Sequence, residues 1–216
     1  MSAKAIKIQD KIPSQRRCLS KTCKKKFTPA RNNQFVCDWK CANDYTNQLN
    51  AKKAKAEKAE GYERLKTHSD YSKELQIEIN TIARLIDKGS VCVSSLKPLN
   101  DKFDCGHRFS CGAFPQIRFN LLNCHAQSVH ENQYKSGNPD GYDHGLSTLY
   151  GEDYLNEVHE LKLKYPTLKL SITELIETKT KAKKIVSELK KLDLIYPPTI
   201  RVILRKKFNE RLGIYK

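Results

Sequence analysis

A chain of 216 residues is long enough for one domain or two small ones, and its formal net charge of +16 favours polyanionic partners without bearing on fold. Hydrophobic residues make up 38% and charged residues 30%, no apolar run is long enough to span a bilayer, and the N-terminus MSAKAIKIQDKIPSQRR lacks the apolar stretch of a signal peptide. These features exclude membrane-spanning and secreted classes and predict a reducing cytoplasm, where the 8 cysteines read as metal ligands or free thiols rather than disulfides.

The first element is a cysteine constellation. Four residues separate Cys18 from Cys23, and three separate Cys37 from Cys41. Two such pairs joined by a short loop suit tetrahedral Zn²⁺, because each pair clamps from one turn while the loop closes over the ion. Phe27, Pro29 and Phe35 would supply only a minimal core, so metal binding would provide folding free energy. Arg16, Arg17, Lys21, Lys24, Lys25, Lys26 and Arg31 surround the pairs and suit phosphate neutralisation, although a solvated basic tail would look the same. Trp39, inside the second pair, reads as packing on the zinc site or stacking on a base.

From Asn43 to Glu60 the Ala, Lys and Glu content predicts a helix with few large apolar residues, hence a solvent-spanning connector. Gly61 and the Thr67–Asp70 cluster are its expected interruption. Leu75, Ile79, Ile82 and Ile86 then form a helical stripe, a packing face for the core or for a second subunit, ending near Gly89. Val91 to Val93 and Lys102 to Cys105 read as short strands, and a helix is expected from about Leu121 to Gly137. Residues 139–145, with Pro139, Gly141 and Gly145, read as a loop. Tyr154, Leu155, Val158 and Leu161 suggest a helix ending before Pro166. Another begins at Ser171, where Glu174 completes a capping box, and Pro197–Pro198 stops it. The basic tail from Arg201 is a last helix or strand.

The chemistry is concentrated between Phe103 and Asn138. Three histidines, two carboxylates, several amides and basic residues crowd there. In a strand, Asp104 and His107 point to opposite faces unless Gly106 permits a kink or bulge. A strand pair followed by a helix can hold a histidine as general base beside a divalent cation bound by carboxylate and amide oxygens. The bland alternative is an ordinary polar hairpin and helix, with Asn132 and Asn138 at helix ends and turns.

The motifs DCGH at 104–107, RFN at 118–120, NCHAQ at 123–127 and NQYKSGN at 132–138 together resemble the ββα-metal (HNH) nucleases, most closely the NinG/Rap recombination endonucleases of lambdoid phages. The N-terminal cysteine segment is similar to that of the same family. The resemblance implies His107 as general base, Asn123 as the residue that orients it, and Asp104 and Asn132 as ligands of a catalytic Mg²⁺ or Mn²⁺. His125 is a further ligand or a phosphate contact. Arg108, Arg118 and Lys135 are phosphate-contact candidates beside Arg16, Arg17 and Lys24. Many relatives carry a structural zinc on two cysteine pairs in this core. Here those positions read Cys92 and Ser95, then Ser128 and Glu131, so a four-thiolate site cannot form there. Cys105, Cys111 and Cys124 do not restore the usual spacing.

The expected fold is α+β and mainly helical. A four-cysteine zinc module (1–45) precedes a helical connector (46–90), an HNH-like core (91–140) and a C-terminal helical region (141–216). The resemblance implies a metal-dependent endonuclease for branched recombination intermediates such as Holliday junctions and D-loops. Branched DNA and phage recombination proteins would be its partners, and a homodimer would suit symmetric cutting. The rival class is a non-catalytic DNA-binding recombination scaffold.

Overall fold

The computed structural model describes residues 14–215 and divides the chain into two compact units, 1–65 and 66–216. The break falls inside the expected 46–90 connector. Its two helices belong to different units, whereas the 91–140 segment and the C-terminal region pack within one.

In the first unit, β1 (Arg16–Arg17) pairs antiparallel with β2 (Lys26–Phe27), and the Cys18 amide continues the ladder to the Lys25 carbonyl at 2.7 Å. The helix α1 (Trp39–Leu65) follows, begun by Asp38, whose carboxylate accepts from the Cys41 amide at 2.7 Å. Cys41 is the one residue buried on α1. The rest is solvated, as its Lys- and Glu-rich sequence predicts, with pairs such as Arg64–Glu60 one turn apart. The helix runs through Gly61 and stops at Leu65.

The second unit opens at Thr67, whose hydroxyl and Asp70 form a reciprocal capping box at the start of α2 (His68–Ile86). The predicted stripe of Leu75, Ile79, Ile82 and Ile86 is fully buried. It packs within its own unit, against Leu175, Ala182, Ile185 and Leu189 of α5 (Ile172–Leu192) and Phe208 and Leu212 of α6 (Pro198–Leu212). The predicted Ser171–Glu174 capping box starts α5. A second apolar cluster joins Tyr142 and Leu146 of α3 (Pro139–Tyr150) to Tyr154, Val158 and Leu161 of α4 (Glu152–Lys164), with Val93, Phe109, Ile117 and Leu122.

An antiparallel hairpin lies between these two clusters. Its strands are β3 (Asp104–His107) and β4 (Cys124–Gln127), in unbroken register from Asp104↔Gln127 to His107↔Cys124. Cys105, His107, Cys124 and Ala126 share one face, and the α2 cluster includes Cys105 and Cys124. Asp104, Gly106, His125 and Gln127 share the other, which meets Tyr142 and Tyr154.

Three local expectations need correction. Val91 to Val93 is no strand: Val91 makes one isolated bridge to Pro98. The segment from Leu121 to Gly137 is not one helix but a 3₁₀ turn (Leu121–Asn123), strand β4, and a π-helical turn (His130–Tyr134). Residues 139–150 are helical rather than a loop. Asn138 caps the helix through the Gly141 amide, and Pro139 sits at its first turn, where a missing N–H costs nothing. Gly145 faces the Val93 main chain so closely that any Cβ there would overlap the Val93 carbonyl. Gly145→Ala is therefore expected to lower stability by about 2–3 kcal/mol or more, read as a shift in the urea midpoint, despite alanine's better helix propensity.

Candidate functional site

The four N-terminal cysteines converge. All four sulfurs lie within 4.8 Å of one another, with Cys23–Cys37 at 3.5 Å and Cys37–Cys41 at 3.6 Å. Thiolates on a tetrahedral zinc stand roughly 3.8 Å apart, given Zn–S bonds of about 2.3 Å, so this cluster could hold a structural metal such as zinc. Ser20 and Thr22 bind the Asp44 carboxylate at 2.5 and 3.2 Å, which ties the Cys18–Cys23 turn to the first turns of α1. Burial opposes ionisation of Cys18, but the main-chain amides of Cys37 and Ser20 outweigh it and lower its pKa. Burial pushes Cys37 up to about 11. Trp39 does not pack on this cluster as expected; it is 69% exposed, and Phe35 is 50% exposed.

In the second unit, Asp104 sits half-buried at the end of the hairpin. One carboxylate oxygen accepts from the Asn132 amide at 2.9 Å and from Gln133 at 2.8 Å. The π-helical turn brings both amides to the carboxylate. On the same face, Gln127 stands directly across from Asp104. Its amide nitrogen donates to Ser94 and to the Gly137 carbonyl, while its buried Oε1 has no hydrogen-bond partner. That oxygen lies over Gly106, where a side chain would displace it. The set is therefore one carboxylate, two amides within reach of it, and an orphan amide oxygen, all hard donors of the kind Mg²⁺ and Mn²⁺ take. The amides must turn their oxygens inward to ligate, which rotation about the last side-chain bond allows.

His107 does not join this set. The hairpin has no bulge, so His107 faces away from Asp104, toward Gln76 of α2, at 3.2 Å. Burial pushes its pKa down to about 4, so the ring is neutral at pH 7. The expectation that Asp104 and His107 serve one ion is thus not met, because strict two-residue alternation separates them. His125 is not an open ligand either. Its two ring nitrogens bond the hydroxyls of Tyr142 (3.1 Å) and Tyr154 (2.9 Å) in a fully buried cluster, and burial holds its pKa well below the ordinary value. Asn123 reaches the main chain beyond His107 rather than the ring. It accepts from the Phe109 amide at 2.8 Å and donates to the Phe109 carbonyl at 2.9 Å, fixing the chain as it leaves β3.

The basic candidates separate in the same way. Arg108 is not free for phosphate, because it forms a two-pronged ion pair with Asp143. Burial would raise the Asp143 carboxyl, but hydrogen bonds from Arg108 and His159 hold it below the usual range. Arg118 donates to Gln76 at 3.1 Å. Lys135 is half-exposed beside Glu131, one turn from Asn132. In the first unit, Arg16 donates to the Asn32 carbonyl at 2.6 Å, while Arg17 and Lys24 are exposed. At the positions where the resemblance leads one to look for a core zinc, Cys92 accepts from the Ser128 amide at 3.2 Å, and Glu131 accepts from Asn138 at 2.7 Å. Hydrogen bonds connect these positions.

Gln127 and Gln133 lie inside the quoted motifs, but the sequence reading gave neither a role. Only the strand register places Gln127 opposite Asp104, and nothing in a glutamine's neighbours along the chain announces that role.

Among the described residues no helix is long and apolar enough to cross a membrane. The family described as Bacteriophage Lambda NinG protein matches residues 10–193. Protein ninG of Escherichia phage lambda is 32% identical over 164 residues, covering 68% of this chain and 80% of its own length. Protein ninG of Enterobacteria phage H19B is 32% identical over 168 residues, with 68% and 81% covered. Protein ninG of Salmonella phage P22 is 32% identical over 143 residues, with 58% and 70% covered. No solved structure matches the chain. A family match over most of the chain and relatives above 30% identity along most of their own length establish descent: the chain belongs to the NinG family of lambdoid phage proteins.

Proposed function

We propose that this chain is a metal-dependent DNA endonuclease that acts on branched recombination intermediates. The observation that carries the reading is the oxygen-donor set on one hairpin face: Asp104 gathers Asn132 and Gln133, and on the same face the buried Gln127 Oε1, over Gly106, lacks a partner. Asp104, with the amide oxygens of Asn132 and Gln133, would hold Mg²⁺ or Mn²⁺, which supplies charge stabilisation at a phosphodiester. Lys135, one turn beyond Asn132, would contact the flanking phosphate, and the net charge of +16 suits the polyanion. The preference for branched DNA rests on the resemblance to the NinG/Rap recombination endonucleases. His107 is not assigned as the base for this ion, because it faces the other side of β3.

The test is cleavage of a labelled four-way junction and a matched linear duplex with Mg²⁺, Mn²⁺ or EDTA. Metal-dependent cutting of the junction is expected. Asp104→Asn and Asn132→Ala should each lower the rate about 100-fold, since an ion contributes several kcal/mol to the transition state. Binding of the junction should survive both changes. Cutting of both substrates would keep the endonuclease and remove the branch preference. Tight binding with no cutting under either metal would overturn the reading and leave a DNA-binding scaffold.

A further inference from the structure

The opposite face of the hairpin carries a second convergence. Cys105 and His107 are two residues apart on β3, so they share a face, and Cys124 stands across from His107 on β4. One ligand atom from each of the three lies within 4.8 Å of the others. Cys105 and Cys124 are buried in the cluster that α2, α5 and α6 form. A lone buried cysteine behaves as a small hydrophobe and needs no further account. Two sulfurs and an imidazole nitrogen meeting at one point are different, because together they are a donor set that Zn²⁺ takes.

Gln76 Nε2 lies 3.2 Å from His107 Nε2. An ion held at that nitrogen would take the place of this contact. Cys111 is on the same side. Its sulfur lies 3.8 Å from the Gln76 oxygen that also accepts from Arg118. Charge balance also holds: two thiolates and a neutral imidazole cancel a 2+ ion, so the centre can be buried without an unpaired charge. A third thiolate from Cys111 leaves one negative charge beside the Arg118 guanidinium.

We propose that Cys105, His107 and Cys124, with Cys111 as the fourth ligand, bind one Zn²⁺ in the second unit and so brace the hairpin whose other face presents Asp104. This centre is separate from the N-terminal four-cysteine cluster.

The test is metal content of the full-length chain, purified without chelator, by elemental analysis and native mass spectrometry. Two zinc ions per chain are expected. A Cys37→Ser/Cys41→Ser variant should hold one, and His107→Ala or Cys124→Ala should also hold one. Because Cys124→Ala could unfold the core, the Cys37→Ser/Cys41→Ser variant is also loaded with Co²⁺ in reducing buffer. It should show tetrahedral d–d bands with thiolate charge transfer, the first lost on adding His107→Ala and the second weakened by Cys111→Ser. A single zinc in the wild type, with none and no cobalt spectrum in Cys37→Ser/Cys41→Ser, would overturn the proposal. So would two zinc ions retained in His107→Ala, or recovery of Cys105 and Cys124 as a disulfide. No nucleic acid enters the measurement, so its failure leaves the endonuclease reading standing.

Discussion

Arg205→Ala is expected to destabilise the second unit by about 3–5 kcal/mol, the usual loss when one partner of a buried ion pair is removed. Arg205 is fully buried on α6, and its Nη2 donates to both Asp87 oxygens at 2.8 and 2.7 Å. Its Nε reaches the Leu121 carbonyl at 3.2 Å, and Nη2 also reaches that of Cys124. Asp87 in turn accepts from the Ala126 amide at 2.7 Å. One guanidinium thus joins α6, the end of α2 and strand β4. Truncation leaves a carboxylate and two carbonyls buried without their donor. Against a total stability of about 5–15 kcal/mol, that loss removes a fifth or more of the margin. Arg205→Lys keeps the charge but not the fork, so it should recover only part of the difference. Urea titration followed by circular dichroism measures both variants. An alanine variant whose midpoint corresponds to less than about 0.5 kcal/mol of change would mean that the pair merely balances its own desolvation and does not hold these elements together.

The sequence was most readable where one local rule governs. Both capping boxes, the α2 stripe and the solvated α1 follow from spacing and composition, because those residues interact with neighbours three or four positions away. The N-terminal cysteines were readable for the same reason. The helix at 139–150 was not, because Gly141 and Gly145 look like loop residues until Val93 is seen pressing on the second of them. Strand β4 was hidden because all four of its residues are buried, which erases the alternation that marks a half-solvated strand. At the candidate site, the alternation rule already warned that Asp104 and His107 part company, and the unbroken register bears that rule out. The convergence of Cys105 and His107 on Cys124, some seventeen or more positions along the chain, depends on hairpin register and could not be read from spacing.

The second large effect concerns metal in the first unit. Stripping it with a strong chelator, or replacing Cys37 by serine, is expected to unfold residues 14–42. Within this unit only Cys18, Ser20, Pro29 and Cys41 are buried among the described residues, and two of those are the proposed ligands. Leu19, Phe35 and Trp39 are about half-exposed or more. Burial of so little apolar surface, at roughly 25 cal/mol per Å², cannot offset an ordering cost of about 1–2 kcal/mol for each residue fixed. A structural zinc, by contrast, contributes apparent binding free energies of about 10–16 kcal/mol at neutral pH. Removing it should therefore cost nearly all of the local order. Hydrogen exchange read peptide by peptide checks this: amides around β1, β2 and the start of α1 should exchange at the rate of an unstructured chain after chelation. In Cys37→Ser, where any metal in the second unit stays in place, protection of α2 and α5 should persist. Unchanged protection around β1 and β2 in the metal-free chain would show that Asp44, through Ser20 and Thr22, holds the turn on α1 without an ion.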